Sequence, residues 1–167
     1  MTRCLIIEDD AAAREALAEV MAAAGLSVSG CSHPMVDRDG APLDEAELVV
    51  LDLSPPYHDR RDVLLQAMGP AGDRPVVVTS SLAEFDFALD VFRSGALDFL
   101  TKPVDAAALR RCLDRALRSL ARRREAARMS EVARRRVEDL SMLNRISGLI
   151  ISADPTQHWM RSTVEAT

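Results

Sequence analysis

Lysine is almost missing from this chain. Of its 21 basic residues, 20 are arginine and Lys102 alone is lysine. Arginine and alanine enrichment is what coding bias produces, so a single lysine kept against it marks a position to watch. Cysteine is scarce too. Cys4, Cys31 and Cys112 are odd in number and far apart, which fits neither a disulfide framework nor a zinc site and points to reduced cytoplasmic thiols. No apolar run approaches the length of a membrane span, and no basic region followed by an apolar one opens the chain, so neither a membrane partner nor a signal peptide is expected. No glycine-rich loop follows the first apolar segment, which argues against nucleotide binding. No helix-turn-helix pattern, zinc motif or strand-rich module follows residue 121, so direct nucleic-acid binding is not expected despite the arginines.

What is present is ordinary in bulk and uneven in distribution. The 167 residues are 48% hydrophobic and 28% charged, enough for one domain with a full core plus an appendage. Residues 1–104 hold 18 Asp/Glu against 8 Lys/Arg, whereas residues 105–167 hold 8 against 13. An acidic globule thus precedes a basic tail.

The organising stretch is Leu48-Val49-Val50-Leu51-Asp52, followed by Leu53-Ser54-Pro55-Pro56. A short unbroken apolar run reads as a strand buried on both faces, as in a parallel sheet. Open α/β sheets place their chemistry beyond the carboxyl ends of the strands, which is where Asp52 stands. Strands are also expected at Arg3–Ile7, Leu26–Cys31, Pro75–Thr79 and Ala96–Leu100. Helices are expected at Ala11–Ala24, briefly near Leu43–Glu47, at Arg60–Met68, at Leu82–Ser94 and from about Asp105. In the helix at 82–94, Phe85, Ala88, Leu89 and Phe92 are read as the inward side. Alternating strands and helices of these lengths predict βα units, with helices on both faces of a parallel sheet.

Such a sheet brings Glu8/Asp9, Asp52, Ser80 and Lys102 to one edge. Three carboxylates together repel, and a divalent cation relieves the cost; hard oxygen donors with water and a phosphate suit Mg²⁺. A lysine and a hydroxyl opposite can meet phosphoryl oxygens, an arrangement suited to an acyl-phosphate nucleophile. Singly, each residue has a plainer use. An acidic triplet makes a solvated turn, a strand-end Asp a helix cap, and a Ser or Thr after a strand an N-cap. It is their joint occurrence at successive strand ends that argues for chemistry.

Residues 1–120 resemble the receiver (response regulator) domain of two-component signalling. The match is carried by Glu8-Asp9-Asp10, by Leu51-Asp52-Leu53 with Pro56, by Ser80, and by the run Gly95 to Pro103. The resemblance implies a flavodoxin-like (βα)5 doubly wound sheet of order 2-1-3-4-5, with the fifth helix extended. It implies that Asp52 accepts a phosphoryl group from a histidine kinase, catalysing only its own transfer and hydrolysis. Glu8, Asp9, Asp52 and the backbone carbonyl of Ser54 would hold Mg²⁺. Lys102 and Ser80 would bind the phosphoryl group, Ser80 and Phe99 would form the switch pair, and Pro103 would follow a cis peptide. Ser54 and Leu82 stand where the family tunes phosphoryl lifetime. Thr79 competes with Ser80 as the switch hydroxyl. The resemblance favours Ser80, because its spacing of 28 residues from Asp52 and 22 to Lys102 matches the usual distances of the family, and Thr79 would face the other way. The loop Pro55 to Asp59 departs from the family pattern, and the second helix looks eroded.

The reading divides the chain into a receiver at 1–121, a helical linker at 122–150 and a tail at 151–167. Met129, Ala133, Val137, Leu140, Leu143 and Ile150 form a stripe too long to bury on a small globule, so a partner helix and a homodimer are expected. Leu140 to Ser147 with Asp154-Pro155 looks like the lead-in to a sensor or catalytic module, making this the N-terminal part of a longer signalling protein. A phosphorylation-independent pseudo-receiver, acting as an interaction module, is the alternative. A phosphatase using Asp52 needs a second aspartate two residues on, where Ser54 stands.

Overall fold

The computed structural model describes residues 1–32 and 41–152, with the side chains of 41–42 and 143–152 outside the description. Five strands form a parallel sheet: β1 Arg3–Ile7, β2 Ser27–Cys31, β3 Leu48–Asp52, β4 Val76–Ser80 and β5 Asp98–Thr101. Their order is β2-β1-β3-β4-β5. Five helices connect or follow them: α1 Ala11–Ala23, α2 Ala41–Glu45, α3 Arg61–Met68, α4 Phe85–Arg93 and α5 Ala106–Ser152. This is the flavodoxin-like arrangement. The central strands β1, β3 and β4 are almost wholly apolar and buried, as a sheet covered on both faces requires.

Alternation along the strands divides the core. Leu5, Ile7, Val49, Leu51, Val76 and Val78 pack with Val63, Leu64 and Ala67 of α3 and Val91 of α4. Cys4, Ile6, Val50 and Val77 face Leu17 and Met21 of α1 and Leu109, Cys112, Leu113 and Ala116 of α5. Each strand therefore ends with its last side chains committed to a face, and the loops beyond carry the polar residues.

Several boundaries differ from expectation. β4 continues through Ser80, and α4 begins at Phe85 rather than Leu82, because the Leu82 N–H is taken by the Ser80 hydroxyl at 3.1 Å. The apolar side of α4 is also different. Phe85 and Phe92 are 78% and 46% exposed, whereas Val91 is buried and Phe87 packs against the core. The helical period places 87, 91 and 94 on one face, so 85 and 92 fall on the other. The short helix between β2 and β3 is one turn long and sits two residues earlier than expected.

The chain divides into two compact units, Met1–Arg122 and a second from Arg123 onward. In the second unit, Met129, Val132, Val137, Leu140 and Met142 are exposed. Glu131 pairs with Arg134 and Arg135, and Arg134 also pairs with Glu138. Leu143 and Ile150 of the expected stripe lie where side chains are not described, and the tail from 153 lies outside the described residues. No helix among the described residues is long and apolar enough to cross a membrane.

Candidate functional site

β1 delivers Glu8 to the carboxyl edge of the sheet, and the chain turns there at once. Glu8 is only 1% exposed. Its backbone N–H donates to the Cys31 carbonyl at 3.0 Å, and its Oε1 accepts from Asp10 N–H at 3.1 Å. Asp10 is spent on structure: its Oδ1 accepts from Ala12 and Ala13 N–H at 2.8 and 3.2 Å, capping α1. Those two bonds hold the Asp10 carboxyl below the usual aspartate range. Asp9, between them, has an exposed side chain. Arg14, one turn into α1, reaches back to donate to the Glu8 carbonyl at 2.5 Å and the Asp9 carbonyl at 3.5 Å. Its stem lies across Gly30, where an added Cβ would meet Arg14 Cδ at 2.7 Å.

β3 ends in Asp52, 5% exposed and in register with Thr79 of β4. Its Oδ1 accepts from the Ser54 N–H at 3.0 Å and the Ser54 hydroxyl at 2.6 Å. Its Oδ2 lies 3.1 Å from Lys102 Nζ, and Lys102 Nζ lies 2.6 Å from Glu8 Oε2. One ammonium thus spans two buried carboxylates. Burial works against the charge on Lys102, but the hydrogen bonds it donates to Glu8 and Asp52 and their negative charge outweigh it and raise its pKa above the ordinary lysine value. Lys102 is set at this point by β5, since its N–H donates to the Ser80 carbonyl at 2.8 Å just past the end of the strand. The Lys102–Pro103 peptide is cis, and so is Pro55–Pro56, which the sequence reading did not anticipate.

Ser80 closes the third side. Its hydroxyl donates to the Leu53 carbonyl at 3.0 Å and accepts from Leu82 N–H. Thr79, its neighbour on the strand, is fully buried and its Oγ1 has no hydrogen-bond partner among the described residues. Phe99 is partly buried, its ring edge-on to Phe87 at 5.9 Å. The Ser54 carbonyl accepts from Tyr57 N–H at 2.7 Å in the loop after β3.

The structure therefore gathers Glu8, Asp52, Ser54, Ser80 and Lys102, and leaves Asp9 at the rim. Among the described residues, no three His, Cys, Asp or Glu side chains form a ready metal cluster. Lys102 stands between the two buried carboxylates instead. The donors nonetheless fit a hard cation in kind, being carboxylate and carbonyl oxygens. The sequence reading missed Arg14 and the hydrogen bonds of the Ser54 hydroxyl, having assigned Ser54 a backbone carbonyl on the metal and a lifetime-tuning position. The Asp-x-Ser spacing is itself an Asx-turn signal and could have pointed to the Ser54 contact.

The family model of the response regulator receiver domain matches residues 4–114. The chain is 33% identical over 122 residues to the C4-dicarboxylate transport transcriptional regulatory protein DctD of Pseudomonas aeruginosa, covering 70% of this chain and 25% of that protein. It is 31% identical over 132 residues to the transcriptional regulatory protein FixJ of Azorhizobium caulinodans, covering 78% and 62%. The chain thus spans less than two thirds of these relatives. Among solved structures, the response regulator receiver protein from Pseudoalteromonas atlantica superimposes with a TM-score of 0.61 at 16% identity, over 71% of this chain and 98% of that one. NtrX from Brucella abortus gives 0.66 at 24% identity, over 77% and 29%. At these identities the structural likeness speaks for the fold.

Proposed function

This chain belongs to the response regulator receiver family, and from that premise we propose that Asp52 accepts a phosphoryl group from the phosphohistidine of a histidine kinase. The observation that carries the reading is the Asp52 carboxylate, buried at a strand end and held 3.1 Å from the ammonium of Lys102. An Asp52 oxygen attacks phosphorus, the P–N bond breaks, and the imidazole leaves with the electron pair. Lys102 is placed to meet the charge that gathers on the phosphoryl oxygens. Ser80 turns from Leu53 toward the same group, and Phe99 follows as the switch partner. Glu8, Asp9, Asp52 and the Ser54 carbonyl would hold Mg²⁺, which supplies charge neutralisation between carboxylates and phosphoryl oxygens. Leu82 and Ser54 flank the site where they influence the lifetime of the acyl phosphate.

The readout is carried by the second unit. Exposed Met129, Ala133, Val137 and Leu140 follow one another at steps of four, four and three residues, a stripe suited to a second copy of the helix. We assign it a dimeric signalling role. Light scattering at high protein concentration should give twice the chain mass, and Leu140→Arg should give the monomer. A monomeric wild type, with and without phosphoryl group, would end that assignment.

The phosphoacceptor role is tested by intact mass after incubation with phosphoramidate, with and without Mg²⁺, beside Asp52→Asn. The expected result is a Mg²⁺-dependent phosphoryl adduct on the wild type and none on the variant. An adduct on both would place the acceptor elsewhere, and none on either would favour the pseudo-receiver.

A further inference from the structure

Two serine hydroxyls cross between the loops that follow β3 and β4, and they do so reciprocally. Ser80 Oγ donates to the Leu53 carbonyl at 3.0 Å, while Ser54 Oγ accepts from Ser81 N–H at 3.0 Å. Ser54 does one thing more. The same hydroxyl donates its proton to Asp52 Oδ1 at 2.6 Å. A hydroxyl has one proton and two lone pairs, so this one group links a carboxylate on one side to a backbone amide on the other. An ordinary Asx turn explains the Ser54 N–H on Oδ1. It does not explain the reach to Ser81, which is 27 residues away.

The geometry points to Ser54 as a positioning residue whose hydroxyl ties the charge of Asp52 to the Ser81 amide, holding the β4–α4 loop against the β3–α3 loop until Asp52 is phosphorylated. This rests on the phosphoacceptor reading. A hydroxyl bond to an anionic oxygen is about twice as strong as a neutral one. When Asp52 becomes an acyl phosphate, a new O–P bond forms as the donor's P–N bond breaks and its nitrogen leaves with the electron pair, and the carboxylate charge leaves Oδ1 for the phosphoryl oxygens. The Ser54 proton then follows the charge, and the Ser81 amide loses its fixed acceptor. Because Ser80 spans the same two loops, its release from Leu53 is coupled to that of Ser54. The role belongs to the side chain and acts before transfer, apart from the metal contact of the carbonyl.

The test is amide-resolved hydrogen exchange by NMR on the full chain, for wild type, Ser54→Ala and Ser54→Thr, before and after phosphoramidate with Mg²⁺. Before phosphorylation, Ser81 should exchange about fivefold faster in Ser54→Ala, the effect of one ordinary hydrogen bond. Ser54→Thr, which keeps the hydroxyl, should restore the slow rate. Unchanged exchange at Val50 and Val78 in the sheet reports that the variants are folded. After phosphorylation, the Ser81 amide resonance should shift in the wild type, and Ser54→Ala should take up the phosphoryl group faster because the tie is already gone. An adduct on the wild type with Ser81 indifferent to Ser54→Ala overturns the relay alone. No adduct on the wild type ends the phosphoacceptor reading and the relay with it.

Discussion

Thr79 and Ser80 are adjacent hydroxyls at the end of one strand, both fully buried, and the structure predicts opposite signs for their removal. Thr79 Oγ1 has no hydrogen-bond partner among the described residues. Burying a hydroxyl without a partner costs about 1–3 kcal/mol in proteins. Thr79→Val replaces that hydroxyl with a methyl group, keeps the β-branch and suits a strand. The backbone bond from Leu53 N–H to the Thr79 carbonyl, 2.8 Å long, is untouched. Thr79→Val should therefore stabilise the receiver by about 1–2 kcal/mol. For a unit of this size each kcal/mol moves the melting temperature by about 3–5 °C, so a rise of about 3–10 °C is expected. Ser80→Ala does the reverse. It removes the bonds to Leu53 and Leu82 and strands a backbone carbonyl and an N–H, for a loss of about 1–3 kcal/mol. Thermal and urea unfolding of the two variants beside the wild type, with phosphoramidate uptake measured on each, make the assay. Thr79→Val should also leave phosphoryl uptake unchanged. A fall in stability for Thr79→Val, or loss of uptake, would mean that the Thr79 hydroxyl is engaged, and the choice of Ser80 as the switch hydroxyl would fall with it.

Lys102→Met leaves Glu8 and Asp52 facing each other without a countercharge, and should cost about 3 kcal/mol at neutral pH by urea unfolding. The deficit should be full below pH 10.5 and shrink on the alkaline side, because the raised lysine pKa means that its stabilisation fades as pH climbs through the higher folded value. A deficit that does not change with pH would show that Lys102 acts by packing alone. The thiols give a further check. Burial, with a smaller push from Glu47, drives Cys4 up to about 12, and burial raises Cys31 and Cys112 as well. A disulfide reagent at pH 8 should find all three cysteines unreactive in the native chain and all three reactive in urea. Rapid native labelling of any one would contradict the core assignment.

Why some of this was legible in the chain and some was not follows from how each feature is encoded. The strands were legible because their signals are local. Leu48 to Asp52 is apolar without a break, and β3 is buried throughout. The strand order came from the resemblance to the receiver family, and the grouping of Glu8, Asp52, Ser80 and Lys102 from their places at successive strand ends, which the sheet turns into proximity at one edge. The face of α4 was misread because Phe85, Leu89 and Phe92 recur at helical spacing as a core stripe does. The sequence does not state that Phe87 and Val91 have the better-placed partners in α3 and β5. The acidic cluster was read as three carboxylates whose repulsion a cation relieves, with Lys102 opposite; that Lys102 pairs directly with two of them follows only from the folded geometry. Lys102 answers two of those carboxylates, Asp10 turns to its helix, and Asp9 stays at the rim. Ser54 escaped for the same reason. Its bond to Asp52 is two residues long and locally encoded, but its second bond crosses to Ser81. Only the parallel register of β3 and β4, with Asp52 beside Thr79, brings those loops together. Contacts that join two strand ends depend on register, so the hydroxyl that carries the proposed relay is one that a linear reading sees only in half.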